Sequence, residues 1–435
     1  HRKINGKNTS QPLVTGHIAG AGDAALAGVG VCAPVVTMIT ALGALIGFGG
    51  GPLMSIRMGR RDMDGARQIV ANSFYLLLAL SVMATVPLLV FRRQILFTFG
   101  CSEALWEYAE AYFTTYVSGT VFAVMSYGLN QITMSQGFSS TAMRSVMLGA
   151  AVNIALDPVF IFALNMGVRG AALATVIGQI FGMALGLWGV FRHQKVLNVN
   201  MKAFKWNRGT VGDIYRVGLP GIVMQSVVSV MTAGMNGILI AFSQTAVNVL
   251  GVYFKLQTFV FMPVFGLNQG ALPVMGYNYG ARNRRRLMGA YRITLTAAVV
   301  IMALGLVLFQ LLPEQMLMLF VDRTDAAAAQ EMIEVGVPAL KTISLSFLGA
   351  AFGIINSTLF QATARGMNSL IVSVCRQLVV ILPAAWMLGR MFGLNAVWYA
   401  FPIAEVASFF ISYILLWREY RTELRFLGTE KEKKA

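Results

Sequence analysis

Charge is scarce in this sequence: only 12% of its 435 residues are Asp, Glu, Lys or Arg, about half the share of an ordinary soluble domain. Most of the chain therefore has no charged surface to offer to water. The three cysteines, Cys32, Cys101 and Cys375, have no metal or redox spacing and read as small apolar residues. The three histidines, His1, His17 and His193, lie at ends or in loops, far from any cysteine or carboxylate cluster, so no nucleophile and base are paired. The glycine-rich stretches lack both the P-loop pattern and the strand that must precede it. Together these absences argue against an enzyme and against an ATP-driven pump, and they call for no organic or metal cofactor.

Apolar residues fill the space that charge leaves. They make up 57% of the chain and fall into eleven runs of at least 18 residues between positions 24 and 417, each long enough to cross a hydrocarbon core of about 30 Å. Outer-membrane strands would alternate over about ten residues, and these runs do not. The reading is an all-α polytopic membrane protein whose first partner is the lipid bilayer. The formal charge of +16 does not point to nucleic acid, because the basic residues sit in particular loops. One alternate set of loops holds Arg57, Arg60, Arg61, Arg67, Arg144, the basic residues from Arg192 to Arg216, Arg282 to Arg292, Arg365 and the tail. The other holds little beyond Arg92, Arg93, Arg169, Arg323, Lys341 and Arg390. The positive-inside rule puts the first set, and the C-terminus, in the cytoplasm.

The chain repeats itself. LIGFGGGPLMSIRMGRRDMDG at 45–65 matches GLNQGALPVMGYNYGARNRRR at 266–286, with Pro52 on Pro273, Gly59 on Gly280, Arg61 on Arg282 and Asp62 on Asn283. Further along, Gln136 falls on Gln361, Pro158 on Pro383, Gly167 on Gly393 and Gln179 on Glu405. Two halves of the same orientation follow, as in many transporters: a lobe at 1–200, a linker at 201–213, a second lobe at 214–418 and a charged tail at 419–435. The run at 214–242 has no counterpart in the first half, where it would start before His1. The expectation is an N-terminally truncated protein, with eleven complete helices present of twelve, six to each half; the alternative is a native eleven-helix protein.

Ionisable residues deep in apolar runs cost several kcal/mol and are functional candidates by default. Asp157 is one, in NIALDPVFIF, one turn after Asn153 on the same helix face. A carboxylate and an amide oxygen so spaced suit Na+, and the carboxylate alone suits a proton. Pro158 frees a backbone carbonyl one turn earlier, which either ligates or bends the helix. Thr175 on the next helix adds a hydroxyl. The alternative is that Asp157 pairs with a neighbour and holds helices together. In the second half Lys255, Arg376 and Glu405 are the buried charges, with Gln225 and Gln257 as polar neighbours. They form either a static ion pair or a proton relay or substrate contact. The 25 methionines and 28 phenylalanines fit an adaptable apolar cavity, though most of them face lipid or other helices.

The pattern G-x4-P-x6-G-x-R closing two helices, with GLNQG and GYNYGAR in the second copy, resembles the multidrug and toxic compound extrusion (MATE) family, bacterial type. The likeness runs from about Val14 to Arg418, and NIALDPVFIFALNMGVRGAALAT carries its functional part. The resemblance implies two six-helix bundles and a cation site in the first lobe, where Asn153, Asp157 and Thr175 match the family's Asn, Asp and Thr. The family's aspartate on the first helix has no match here, and 214–242 lacks the acidic residue of some branches. It further implies a monomeric antiporter exporting amphipathic, often cationic, small molecules in exchange for Na+ or H+ by alternating access, located in the bacterial cytoplasmic membrane. The rival readings are a lipid-linked glycan flippase of the same superfamily and a non-transporting membrane scaffold.

Overall fold

The computed structural model describes residues 22–190, 205–321 and 325–429. His1, His17, His193, Arg323, the start of the linker, the last residues of the tail and the expected missing helix lie outside the described residues. Among those described, every regular element is helical. Nine helices among the described residues are long and apolar enough to cross a membrane: α1 Ala24–Gly59, α2 Met63–Val90, α5 Ser139–Ala163, α6 Gly167–Trp188, α7 Arg208–Leu239, α8 Gln244–Gly280, α9 Arg284–Leu311, α12 Gly366–Phe392 and α13 Leu394–Phe426. A tenth span is the pair α10 Ala326–Ser344 and α11 Phe347–Ala362, bent by 47°. One of the eleven apolar runs, at 109–134, is not a single helix but falls across α3 Glu103–Ser118 and α4 Thr120–Ser135, with Gly119 between them. Gly119 sits hard against Val176, where a Cβ would come within 2.6 Å of the valine methyls.

Helix starts follow capping chemistry. Asn207 accepts from Gly209 and Thr210 amides at the start of α7, Ser243 from Ala246 at α8, and Asp325 from Ala328 at α10, each satisfying amides with no partner inside the helix. The chain forms two compact units. The first comprises residues 1–47, 73–133 and 140–198, the second 48–72, 134–139 and 199–435. The second has an aromatic core, with Phe347 edge-to-face on Phe309 at 5.0 Å and on Phe261 at 5.4 Å. Its outward helix faces carry side chains such as Phe259, Ile293 and Phe392, which lipid covers.

The repeat is legible atom by atom. Within the second unit, a Cβ on Gly59 would land in the carbonyl of Tyr277, and one on Gly280 in the carbonyl of Ile56. Ile56 and Tyr277 are themselves repeat partners, so the contact is made twice by a local two-fold. Arg61 and Arg282 then both turn left-handed, at φ 61° and 56°. Behind them the amides of Asp62 and Asn283 reach back to the carbonyls of Arg57 and Asn278, both at 3.0 Å, a Schellman-type close. Asp62 accepts from the Gly65 amide at 2.9 Å and Asn283 from the Arg286 amide at 3.0 Å, starting the next helix in both copies. Gly167 and Gly393 also share positive φ, 56° and 88°.

Candidate functional site

In the first unit the site starts from a close helix crossing. A Cβ on Gly149 of α5 would lie 2.9 Å from the Gly178 carbonyl oxygen of α6, and one on Gly178 2.5 Å from that of Gly149. Backbones approach like this only where neither helix puts a side chain between them. One turn after Gly149, the Asn153 Nδ2 donates to Thr175 Oγ1 at 3.2 Å, and the Thr175 hydroxyl donates to the Ala171 carbonyl at 3.0 Å. This leaves the Asn153 amide oxygen free to accept, with a lone pair of the hydroxyl beside it.

Asp157 follows one turn later, half-buried. Its carboxylate has no hydrogen bond and no ion pair among the described residues, so the helix-gluing alternative has no partner there. Tyr112 of α3 is near enough to interact with it electrostatically and stacks on Tyr116, ring centroids 6.0 Å apart. The Tyr116 hydroxyl accepts from Gln179 Nε2 at 3.2 Å. Directly after Asp157, Pro158 interrupts the α ladder and Val159–Ala163 forms a π turn, a wide turn common at functional sites because it leaves carbonyls partly unused. The tyrosines were missed in the sequence, since neither shares a helix or a motif with Asp157.

In the second unit Arg376 sits on another π turn, Cys375–Val380, in α12. Its Nη1 lies 3.5 Å from Glu405 Oε1 of α13, with the two side chains 21% and 13% exposed. Arg376 Nε, Glu405 Oε2 and Gln377 Oε1 are buried without a partner. Two cavities, of about 330 and 370 Å³, meet at Arg376 and Gln377; Gln225 lines the first, and Gln257 and Glu405 line the second. Lys255, grouped with Glu405 on depth alone, stands apart: its ammonium lies 5.7 Å from the ring centroid of Phe320. Tyr253 and Leu256 define the buried face of α8, and Lys255 projects from its exposed one.

A second ionic cluster in this unit was not anticipated. Glu419, 1% exposed, accepts from the Thr363 hydroxyl at 2.8 Å and lies 3.7 Å from Arg365 Nε. Arg365 also pairs with Glu423, which the Tyr279 hydroxyl bonds. The cluster ties the ends of α8, α11 and α13 together, and the continuous α-helical part of α13 runs to Thr422, into the residues read as the charged tail.

A family profile, MatE, matches residues 8–159 and 220–387, covering both copies of the repeat. This chain belongs to the MATE family of transporters. The multidrug export protein MepA of Staphylococcus haemolyticus is 26% identical over 384 residues, 88% of this chain and 83% of the relative. MepA of Staphylococcus aureus is 26% identical over 386 residues, 88% of this chain and 84% of its own. A MATE crystal structure in the bent conformation matches with a TM-score of 0.86 at 27% identity, covering 94% of this chain and 90% of that one. An outward-facing multidrug resistance MATE transporter of the MOP superfamily matches at 0.85 and 28% identity, covering 93% and 90%. A MOP superfamily transporter from Pyrococcus furiosus, described by the reverse polarity of its binding pocket, matches at 0.84 and 28%, covering 95% and 90%. This MATE protein is thus an all-helical, multi-pass membrane transporter.

Proposed function

We propose that this MATE protein exports amphipathic or cationic drugs and toxic compounds in exchange for inward Na+ or H+, by alternating access between two lobes. The observation that carries the reading is the unpaired Asp157 carboxylate beside the Asn153–Thr175 hydrogen bond. A lone carboxylate within the apolar span is costly until a cation neutralises it. Na+ takes oxygen ligands, and the Asp157 carboxylate, the Asn153 amide oxygen and the Thr175 hydroxyl are of that kind; a proton needs Asp157 alone. Pro158 and the π turn behind it give α5 a point at which a change of charge becomes a change of helix direction. The relatives named multidrug export proteins support drugs as the substrate class. The loop arginines support a cytoplasmic C-terminus in a bacterial cell membrane.

A lipid-linked glycan flippase would need surplus positive charge for a pyrophosphate, and the interior charge of Arg376 is matched by Glu405. The test is ethidium efflux from proteoliposomes, driven by a Na+ gradient at constant pH or by a pH gradient without Na+. Asp157→Asn is expected to reduce the effective one to the protein-free background. Unchanged efflux under both gradients would sink the proposal.

A further inference from the structure

The second unit contains a chamber of a different character from the Asp157 corner. Its two cavities share Arg376 and Gln377 on their walls. One side is rich in amides, with Gln225, Asn268, Gln269 and Gln361 on its wall. The other is aromatic, with Tyr253, Phe254, Phe261 and Phe401. Each cavity lies within the size range of small-molecule sites, about 300 to 1,000 Å³.

The charges in this chamber are incompletely used. Arg376 holds Glu405 through Nη1 alone, at 3.5 Å, while its Nε is buried with no partner. The Nε edge of a guanidinium is a fork that matches a carboxylate with two parallel hydrogen bonds, and the side chain lines both cavities. Gln377, the next residue, adds an amide at the same junction.

We infer that the interior of the second unit is a binding site for an aromatic amphiphile bearing a single carboxylate, with the carboxylate on the Nε edge of Arg376 and the rings among Tyr253, Phe254, Phe261 and Phe401. A single negative charge fits and a phosphate dianion does not. Arg376 and Glu405 already cancel each other's charge at 3.5 Å, so the ligand's carboxylate shares the guanidinium with Glu405 and leaves the site with one net negative charge; a dianion would leave two, at a much higher cost in a low-dielectric interior. An amine would find acceptors in Glu405 Oε2 and Gln377 Oε1, but it would bring a second cation beside the Arg376 guanidinium and leave the Nε edge unused. This ligand class is opposite in charge to the cations proposed for transport, and its binding does not depend on transport.

The probes are 1-pyrenebutyrate, 1-pyrenebutanol and 1-pyrenebutylamine, which share one ring system and differ in the head group. Binding is measured by pyrene fluorescence to the full chain in neutral-lipid nanodiscs at pH 7.4, with protein-free nanodiscs subtracted. Pyrenebutyrate is expected to bind saturably at one site, about tenfold or more tighter than the alcohol or the amine, as a charge-assisted hydrogen-bond pair implies. Arg376→Gln removes that preference and leaves alcohol binding unchanged, while Arg376→Lys keeps part of it. Equal binding of the three probes by the wild type, or an unchanged preference in Arg376→Gln, overturns the inference. Should Arg376→Gln fail to fold, Glu405→Gln decides. Freeing Arg376 of its counter-ion must tighten pyrenebutyrate severalfold relative to the alcohol, and an unchanged or weakened preference overturns the inference as well.

Discussion

The two copies of the repeat agree at their ends and disagree in their middles. Gly59 and Gly280, Arg61 and Arg282, Asp62 and Asn283 do the same jobs in the same geometry. Deeper in the helices, Gln179 bonds a tyrosine where its counterpart Glu405 meets Arg376, and Asp157 in the first copy stands unpaired. The ends solve a problem both copies share, reversing a helix at close quarters. The interiors are free to differ once the fold is secured, so each copy's chemistry lies where it departs from the other.

The most drastic way to break the shared part is to put a side chain at the reciprocal glycine contact. Gly280→Val has no room, because its Cβ would fall in the Ile56 carbonyl, a backbone atom that cannot rotate away. The expected outcome is loss of the monodisperse peak in size-exclusion chromatography, with Gly59→Val behaving alike. A well-folded Gly280→Val protein would show that the two-fold contact is dispensable. Next in size is Asp157→Asn, which leaves this contact untouched: it abolishes gradient-driven efflux while the protein stays folded.

The apolar runs, the repeat and the close of both helices at Gly-x-Arg were legible because each depends on residues near in sequence, with fixed spacing. So was the nearness of Asn153 to Thr175, which face each other across a short connection between adjacent helices. The rest depends on contacts that no spacing encodes. Lys255 is as deep in its helix as a buried charge, yet its face of α8 and the distant Phe320 decide where its ammonium goes. Glu419 and Glu423 read as the start of a charged tail. They become an internal cluster only because Arg365, Thr363 and Tyr279 arrive from two other segments.

That cluster belongs to the second copy alone and gives a mid-sized test of the asymmetry. Thr363→Val removes the hydroxyl that donates to the buried Glu419 carboxylate, leaving a charged acceptor short of a donor in a place where Oε2 already has none. The expected cost is about 1–3 kcal/mol, read as a lower melting temperature in detergent. Glu419→Gln in the same background should recover part of it, because a neutral amide is less costly to leave short of a donor.

The smallest effect sharpens the comparison most directly, since Asp62 and Asn283 make the same backbone cap and differ in charge and in the Arg57 ion pair that goes with it. The Gly65 amide that bonds Asp62, together with the Arg57 guanidinium beside it, holds its carboxyl below the ordinary aspartate range. A group whose folded value is depressed stabilises the protein above its unfolded value, and that contribution disappears as pH falls through the folded one. The Asp62 cap is therefore at full strength at neutral pH and fades below about pH 4, whereas the Asn283 cap is indifferent to pH. Asp62→Asn should convert the first copy into the second: a loss of under about 1 kcal/mol at pH 7, since the side chain is 37% exposed and water screens the pair, shrinking towards zero as the pH is lowered to 3. Melting curves of wild type and Asp62→Asn across that range check it, and a gap that stays constant would mean that Asp62 caps its helix as a dipole rather than as a charge.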